Sequence, residues 1–320
     1  AIGQSKRPVI CAGGGIFSAG ARQELKELAE SAGIPVVTTM MGLGVLPTDH
    51  PLNMGMIGSF GNTCANKALA KSDLLILAGA RVANRAILSP SEIGRRMRTI
   101  HMDVDPAEIG KNVSTNIPVV GDIRCILGQV LEHKPHVDSG EWIDVLRQKR
   151  AEELAAEIMP LKAGVHPGKV MRSLGRQMAE NACVCVDVGQ NQIWACKYLP
   201  LREGRFLTTG GLGTMGYALP AAIGAKVACP DRQTVVVCGD GGFQMAFNEL
   251  ATLVSQGSDI KIVLLENHVL GLVNEIQKKS YSGPFGVSLD GSPDFGILAQ
   301  AYGIAFGRVD ADQDIDEAVG

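Results

Sequence analysis

The sequence has few aromatic residues, little net charge and no long apolar run. Aromatic residues make up 4% of its 320 residues, and acidic and basic residues nearly cancel to a net charge of −3. Without a basic face, the chain is not expected to bind nucleic acid. No apolar stretch reaches the length of a membrane-spanning helix, and the first residues do not form a basic-then-apolar signal segment. We therefore expect neither a nucleic acid nor a membrane as a partner.

The eight cysteines lack the spacing of metal-binding and redox motifs. No two of them are spaced as in CxxC, and Cys11, Cys183, Cys185 and Cys238 lie inside apolar segments. We interpret Cys183 and Cys185 as two core thiols rather than a functional pair. Free core thiols fit a reducing compartment, so we expect a cytoplasmic protein.

Apolar strands alternate with helical patterns along the chain, which predicts parallel sheets covered by helices. We expect an α/β fold of two doubly wound parallel-sheet domains joined by a helical linker. The predicted domains are residues 1–133 and 165–320, and residues 134–164 form the linker, with a long charged helix at 141–161. In the first domain the patterns predict a helix at 19–32, a helical turn from Pro106, and strands at 8–12, 34–39, 72–79, 98–104 and 117–120.

In the second domain, strands are predicted at 182–188, 206–209, 234–238, 260–265 and 306–309. Helices are expected at 168–180, 219–227 and 294–302, and a loop at 277–293. The strand at 234–238 runs into Gly239 to Gly242, which we interpret as a tight turn. A helix then continues through Gln256 to Gly257.

The segments from 234 to 265 therefore form one βαβ unit, whose two strands are parallel. Asp240 and Asn267 follow these two strands, so both side chains are expected at the carboxyl edge of one sheet, where open α/β sheets bind ligands. A carboxylate and an amide oxygen beside glycine backbone suit Mg²⁺ carrying a diphosphate. The alternative is structural: a turn at Gly239 to Gly242, with Asp240 as a helix cap.

A second glycine cluster, Gly13 to Gly15, follows the first strand. Strand, glycines and helix suit the phosphates of a dinucleotide, but Ser18 stands where GxGxxG has its last glycine. No acidic residue ends the second strand, which argues against a nicotinamide dinucleotide held by its ribose. A purely structural role for the triplet stays open.

Several segments resemble thiamine-diphosphate-dependent enzymes, most closely the acetolactate synthase large-subunit family. GDG at 239–241 with Asn267 at its spacing matches the cofactor signature of that family, although Glu266 stands where the family usually has a first Asn. GGLGTMGYALPAAIGA at 210–225 and GSPDFGILAQAYG at 291–303 resemble its cofactor domain. The segments at 41–66 and HMDVDPAEIGKN at 101–112 resemble its middle domain, so the resemblance covers the whole chain.

The resemblance implies a site residue by residue. Asp240, Asn267 and the backbone oxygen of Val269 would bind Mg²⁺. Met215 would prop thiamine diphosphate in a bent shape, and the Gly213 carbonyl would receive its 4′-amino group, so these two residues would act at the catalytic centre. Without the resemblance, we would interpret Met215 as a core methionine in a glycine-rich turn. The expected contacts to the diphosphate are Gly239, Gly241, Gly242, Gly271, Gln190 and Asn191, where the family often has His.

The implied reaction is decarboxylation of pyruvate and its ligation to a second 2-keto acid, as in branched-chain amino acid biosynthesis. The resemblance also implies a homo-oligomer, dimeric or tetrameric, with active sites shared between subunits, and allows for a regulatory subunit. The family's Trp for the larger acceptor falls at Ile276, which leaves the acceptor open. Glyoxylate carboligase, which the segment from Arg81 to Arg85 resembles, or another thiamine-diphosphate 2-keto acid decarboxylase is an alternative. A non-catalytic nucleotide-binding module is an alternative of another class, but it would not need Asp240 with Asn267.

Flavin adenine dinucleotide (FAD) is a further cofactor that the resemblance raises without settling. Family members that bind it have a His where this chain has Phe60 and an Asp where it has Ala83. A bound flavin would be structural rather than redox-active. The residues that match flavin-binding positions are Gly13, Gly14, Gly15, Arg81, Arg85, Asp103, Glu108 and Asp122.

The family's pyrimidine-binding domain, which carries the activating glutamate, would lie before Ala1. No residue of this chain can be assigned that role. We therefore expect the chain by itself to be inactive in turnover.

Overall fold

The computed structural model describes residues 1–87, 89–161 and 164–319. They form two compact units, Ala1–Glu157 and Ile158–Gly320, each built on a parallel sheet with helices. The predicted α/β class is thereby confirmed. Residues 162 and 163 of the predicted linker and the last residue of the predicted second domain lie outside the described residues, and the predicted domain limits stay a prediction.

The first unit contains a six-stranded sheet in the order β3-β2-β1-β4-β5-β6. Every neighbouring pair is parallel. The five predicted strands are present, two with the predicted bounds and three with slightly shorter ones. A strand at 53–56 was not predicted because it contains Asn53 and Gly55 in place of an apolar run. The strands are β1 (Pro8–Ala12), β2 (Val36–Thr38), β3 (Asn53–Met56), β4 (Leu74–Ala78), β5 (Arg98–Asp103) and β6 (Ile117–Val120).

Helices cover both faces of this sheet, because its central strands are apolar on both sides. Ile10 and Ile76 pack on one face with Leu25 and Leu28, while Leu75 packs on the opposite face. The helix predicted at 19–32 begins only at Arg22, a separate short helix precedes it, and Pro106 begins a turn without helix. The helices of the first unit are Gly15–Ser18, Arg22–Ala32, Thr63–Lys71, Pro90–Arg96, Ile123–Glu132 and Gly140–Ala155.

The last of these helices was predicted as a longer linker helix at 141–161. It ends at Ala155 and packs on the first unit. Leu146 is fully buried there, and the Trp142 indole N–H donates to the Pro8 carbonyl at 3.3 Å. Buried apolar side chains therefore bind this helix to the sheet, although its overall pattern is charged.

The second unit contains a four-stranded parallel sheet in the order β10-β9-β7-β8. Its strands are β7 (Cys183–Val186), β8 (Arg205–Leu207), β9 (Thr234–Gly239) and β10 (Ile260–Leu265). The parallel pairing of β9 with β10 confirms the predicted βαβ unit. The strand predicted at 306–309 is absent from the described residues: that segment has no ladder, and Phe306 is 52% exposed.

The helix predicted from the glycines to Gln256 is interrupted in the structure. It begins directly at Asp240, so the glycines form a first helical turn instead of a separate turn, and it breaks where Ala246 leaves helical geometry (φ −142°). A helix also covers the start of the predicted loop at 277–293. The helices are Pro167–Gln177, Gln190–Tyr198, Ala218–Ala228, Asp240–Gln244, Leu250–Ser255, Gly271–Ser280, Phe295–Ala301 and Ile315–Val319.

Two predictions about composition can be compared with the structure. Cys183 and Cys185 are buried and free, as expected for core thiols, and burial raises the pKa of the Cys185 thiol to about 12. Among the helices in the described ranges, none combines the length and the apolar character needed to cross a bilayer.

Candidate cofactor site

The chain changes direction between the two central strands of the second sheet. From β7 it continues to β8 on one side, whereas from β9 it continues to β10 on the other side. Open parallel sheets bind ligands in the crevice at the carboxyl ends of two such strands. Asp187 follows β7 and Asp240 follows β9 directly, so both carboxylates lie at this crevice.

Asp240 joins the ends of β9 and β10 through its side chain, which is 2% exposed. Its Oδ2 accepts hydrogen bonds from the backbone N–H groups of Asn267 (3.2 Å) and His268 (2.7 Å). Its Oδ1 accepts from the N–H of Gly241 at 2.9 Å. Such bonds to a carboxylate are charge-assisted and hold it in a fixed position. The fold therefore brings together Asp240 and Asn267, the pair that the sequence singles out.

The Asn267 side chain is oriented by its own hydrogen bonds. Its Oδ1 accepts from the N–H of Val269 at 3.1 Å, and its Nδ2 donates to Gln190 Oε1 at 3.2 Å. Gln190 in turn donates to the carboxylate of Glu275. Because a carboxylate only accepts, Glu275 fixes which end of the Gln190 amide faces Asn267.

Gly271 is close to this group of side chains. A Cβ at this position would lie 1.9 Å from Gln190 Oε1 and 3.2 Å from Asn267 Nδ2. Any larger residue would therefore displace Gln190 from Asn267.

The segment before Gly271 is held by a short antiparallel bridge between Val269 and Ser288. The Leu270 N–H donates to the Val287 carbonyl at 2.8 Å, and the Leu289 N–H donates to the His268 carbonyl, also at 2.8 Å. These contacts come from a segment predicted only as loop, so the sequence analysis missed them.

Glu266, which stands where the resembling family usually has Asn, is directed to a different partner. Its carboxylate pairs with Arg308 at 2.9 Å and lies 3.6 Å from the His268 ring. It is thus engaged in an ion pair beside the crevice, and the contacts of this segment with Asp240 come from the backbone of Asn267 and His268.

The loop after β8 places Met215 beside the glycines that follow β9. Gly213 and Gly216 have φ values of +68° and +83°, in the region that glycine adopts without strain. A Cβ on Gly241 would lie 3.4 Å from Met215 Cε and 2.6 Å from a methyl group of Leu270. Met215 and Gly241 are therefore neighbours in the crevice.

Asn191 connects the ends of β7 and β9 from inside the unit. It is 4% exposed, and its Nδ2 donates to the carbonyls of Asp187 (2.7 Å) and Val237 (3.4 Å). A Cβ on Gly239 would lie 3.3 Å from its Oδ1. The amide hydrogens of Asn191 thus serve the backbone, and its contact with a diphosphate stays a prediction.

Asp187 is the residue of this crevice that sequence reasoning missed. It is 1% exposed, and three backbone N–H groups donate to its carboxylate: Val188 and Gly216 to Oδ1 at 2.9 and 3.0 Å, and Ala218 to Oδ2 at 2.9 Å. No spacing rule marks it, because its partners are backbone groups of a distant loop. Burial, with Asp187 and Asp240 nearby, raises the pKa of the Cys238 thiol well above its usual range.

Several of these residues line one open groove of the second unit, with a volume of about 1300 Å³, whereas Asp187 lies outside its lining. The groove is larger than the pocket of a typical small ligand, and it also runs along β10. Its wall near the crevice includes Gly189, Gln190, Asn191, Met215, Gly239, Asp240, Gly241, Gly242, Asn267, Val269, Leu270 and Gly271.

The donor atoms of the crevice fit Mg²⁺ with a diphosphate. Asp240 Oδ1 and Asn267 Oδ1 each accept one backbone N–H among the described residues, which leaves each oxygen a lone pair for a cation. Mg²⁺ takes few protein ligands and completes its shell with phosphate and water. The described part of the chain has no group of three or more His, Cys, Asp or Glu that could hold a metal, so a cation here would depend on this mixed set.

In the first unit the predicted flavin-binding residues lie at the carboxyl ends of four adjacent strands. Gly13 to Gly15 follow β1. A Cβ on Gly13 would lie 2.2 Å from the Gly79 carbonyl oxygen, so close packing against the segment after β4 requires glycine at this position even without a ligand. A Cβ on Gly14 would instead face Met41 at 3.2 Å. Arg81 and Arg85 follow β4 and are exposed.

The three acidic residues of that set have local partners. Asp103 is 9% exposed and accepts from the N–H of Asp105 at 3.0 Å. Glu108 pairs with Lys111 at 2.8 Å. Asp122 caps the helix Ile123–Glu132 by accepting from the N–H of Cys125 at 3.1 Å.

Two family models match the chain. The model described as "Thiamine pyrophosphate enzyme, central domain" matches residues 1–131, and "Thiamine pyrophosphate enzyme, C-terminal TPP binding domain" matches residues 187–320. The second match contains all the crevice residues described above. Thiamine pyrophosphate and thiamine diphosphate are two names for one cofactor.

Curated proteins similar to the chain are named as acetolactate synthases. The "Acetolactate synthase large subunit" of Lactococcus lactis is 40% identical over 309 residues, which cover 96% of this chain and 54% of that protein. The "Probable acetolactate synthase large subunit" of Methanococcus aeolicus is 38% identical, with 99% and 56% covered. The "Acetolactate synthase large subunit" of Corynebacterium glutamicum is 38% identical, and the match covers 99% of this chain and 53% of that protein. The chain thus spans about half the length of the curated relatives it matches.

The contact between Gly242 and Asp187 gives a prediction for stability. A Cβ on Gly242 would lie 2.6 Å from Asp187 Oδ1 and 3.0 Å from its Cγ, and Asp187 cannot move without losing its backbone hydrogen bonds. We expect Gly242→Ala to lower the free energy of unfolding by about 1–3 kcal/mol, the usual range for overpacking, as measured by denaturant titration.

Gly224→Ala is the matched control. Gly224 lies within the helix Ala218–Ala228, and a Cβ there meets nothing within 4 Å. The control should raise the free energy of unfolding by up to about 1 kcal/mol, since alanine favours helix. Equal stability of both variants would contradict the tight packing of Gly242 on Asp187.

Proposed function

The chain belongs to the thiamine pyrophosphate enzyme family, with its central and C-terminal cofactor-binding domains, and from this premise we propose that its second unit holds thiamine diphosphate and Mg²⁺ in an enzyme of the acetolactate synthase kind. The observation that carries the proposal is the direct contact of the Asp240 carboxylate with the backbone of Asn267 and His268. This contact places a carboxylate and an amide oxygen at the ends of adjacent strands, beside glycines.

In the proposed site, Asp240 and Asn267 supply side-chain oxygens to the cation, and Val269 supplies its carbonyl. Asp240 neutralises part of the cation charge, and its hydrogen bonds to Asn267 and His268 position the second and third ligands. Gly239, Gly241, Gly242 and Gly271 let the backbone approach the diphosphate closely. Gln190 lies beside the ligands and stabilises the Asn267 amide.

When bound, thiamine diphosphate supplies the carbon nucleophile and the electron sink for decarboxylation of a 2-keto acid. Met215 would support the bound cofactor, since its side chain lies next to Gly241 in the crevice. Gly213 offers its carbonyl to the 4′-amino group, and its positive φ turns the loop at that point. The apolar side chains of Met215 and Leu270 both lie next to Gly241 and would limit the access of water to a cofactor bound there.

Pyruvate and a second 2-keto acid are the proposed substrates, since the similar curated proteins are named as acetolactate synthases. Ile276 lies half exposed on the helix Gly271–Ser280, at the position that the resemblance connects with acceptor size. We further propose a homo-oligomer with shared active sites and a regulatory subunit as partner. The free cysteines support a reducing, cytoplasmic location.

We also propose that the first unit holds the phosphates of FAD. Its strand order follows the dinucleotide-binding arrangement in which the chain reverses between the first and fourth strands. Gly13 to Gly15 follow β1 and Arg81 follows β4, so glycine backbone and a guanidinium lie at that reversal. Guanidinium groups bind a pyrophosphate as forked donors.

Asp240→Asn tests the metal site with less disruption than Asp240→Ala. Asn keeps the size of the side chain and one acceptor for the N–H groups of Asn267 and His268, although its NH₂ group then faces the N–H of Gly241, whereas Ala would leave all three N–H groups unpaired. We expect the Mg²⁺-dependent affinity for thiamine diphosphate to fall by at least roughly 100-fold, because Asp240 is a proposed direct ligand and even outer-shell partners of metal sites contribute up to about that much. Asn267→Ala should weaken binding less, because a neutral oxygen is the poorer ligand.

The measurement is calorimetric titration of thiamine diphosphate with and without Mg²⁺, alongside thermal melting. Asp259→Asn, at a surface carboxylate paired only with Lys261 among the described residues, is the control and should bind as wild type. If Asp240 were only a helix cap, its loss would cost about 1 kcal/mol of stability and leave the cofactor affinity unchanged. That result would refute the site.

The flavin proposal predicts that Arg81→Ala combined with Arg85→Ala lowers flavin content. The double variant removes two exposed cations from the segment after β4, so the fold should persist while the pyrophosphate loses its donors. Flavin content is measured by absorbance of the purified protein after reconstitution with FAD. Arg95→Ala with Arg96→Ala, on a helix of the same unit, is the charge-matched control. A yellow Arg81/Arg85 variant with wild-type flavin content would count against this placement.

A further inference from the structure

Asp187 is a buried carboxylate that contacts three separate parts of the crevice. Its backbone ends β7, where its N–H donates to the Val237 carbonyl of β9 at 2.8 Å. Its side chain accepts from Gly216 and Ala218, in the loop after β8 and at the start of the next helix. It also packs against Gly242 in the first helical turn after β9.

This position calls for a side chain with two hydrogen-bond acceptors. Three N–H groups point at its two oxygens, and every partner is a donor. Asn would have almost the same shape, but one side of its amide would present hydrogens to an N–H group. In a site that is 1% exposed, water cannot relieve that conflict, so the loop would have to move away.

The loop that would move is the one that carries Met215. The Gly216 N–H, which donates to Asp187, directly follows Met215, and Met215 Cε lies 3.4 Å from the position of a Cβ on Gly241. Asp187 therefore contacts both segments that meet here. Its hydrogen bond with Gly216 holds the loop of Met215, and its contact with Gly242 holds the first helical turn after β9.

We propose that Asp187 is a positioning residue that fixes the distance between Met215 and the first helical turn after β9, and thereby controls how the ring end of thiamine diphosphate is held. The inference rests on the proposed function of the same crevice. It separates two parts of the cofactor: the diphosphate and its cation depend on Asp240 and Asn267, whereas the rings depend on the loop that Asp187 holds.

The test compares two ligands in Asp187→Asn by calorimetry, both with saturating Mg²⁺. Inorganic pyrophosphate reports only the diphosphate end, and thiamine diphosphate reports both ends. We expect the affinity for thiamine diphosphate to fall at least tenfold and that for pyrophosphate to stay within threefold of wild type. A residue with only a structural role would weaken both ligands together, in step with the melting temperature.

Asp294→Asn is the control, because Asp294 caps the helix Phe295–Ala301 by accepting from two backbone N–H groups on the exposed surface. It should lower stability without changing the ratio of the two affinities. Gly216→Ala provides a second variant should Asp187→Asn fail to fold. It strains the same loop, since its φ is +83° and a Cβ would lie 2.8 Å from Met245 Cβ, and it should cause the same selective loss.

An unchanged ratio in the folded variants would overturn the inference, whether both ligands weaken equally or neither does. A wild-type protein that binds neither Mg²⁺–pyrophosphate nor Mg²⁺–thiamine diphosphate would instead overturn the proposed function, and the inference with it.

Discussion

The crevice of the second unit depends on the hydrogen bonds between the Asp240 carboxylate and the backbone of Asn267 and His268. Parallel strands pair along their length, but nothing in a sheet fixes the chain beyond the last pair. Asp240 extends the connection of β9 with β10 past that point, and so it sets where Asn267 and the segment after it begin. The orientation of Asn267, its contact with Gln190 and the close approach of Gly271 all follow from this start.

A second buried carboxylate, Asp187, does the same for the other side of the crevice. Asp240 organises residues that follow β10, whereas Asp187 organises the loop that follows β8, and the two lie on neighbouring strands with Cys238 close to both. In each case a carboxylate at a strand end collects backbone N–H groups from another loop. Such bonds are strong and costly to lose in a buried site, so two side chains can place loops that have no regular structure of their own.

The sequence was sufficient for most of the parallel strands, because apolar runs are local signals, and for placing Asp240 and Asn267 together, because each directly follows such a run. It was wrong at 306–309, where the predicted strand has no ladder among the described residues. It was insufficient for Asp187, whose partners are backbone groups with no side-chain signature. It also failed where tertiary contacts decide, as in the unpredicted strand at 53–56, which contains Asn53 and Gly55, and in the helix that extends beyond Gln277. The interruption at Ala246 divides a segment whose pattern is uniformly helical.

The most direct test of the account is a crystal structure of the protein with thiamine diphosphate and Mn²⁺ in place of Mg²⁺, since Mn²⁺ gives an anomalous signal. The account predicts one strong anomalous peak bonded to Asp240 and Asn267, with the diphosphate on its other side and the glycines of 239–242 around it. A bound cofactor whose cation contacts neither Asp240 nor Asn267 would contradict it.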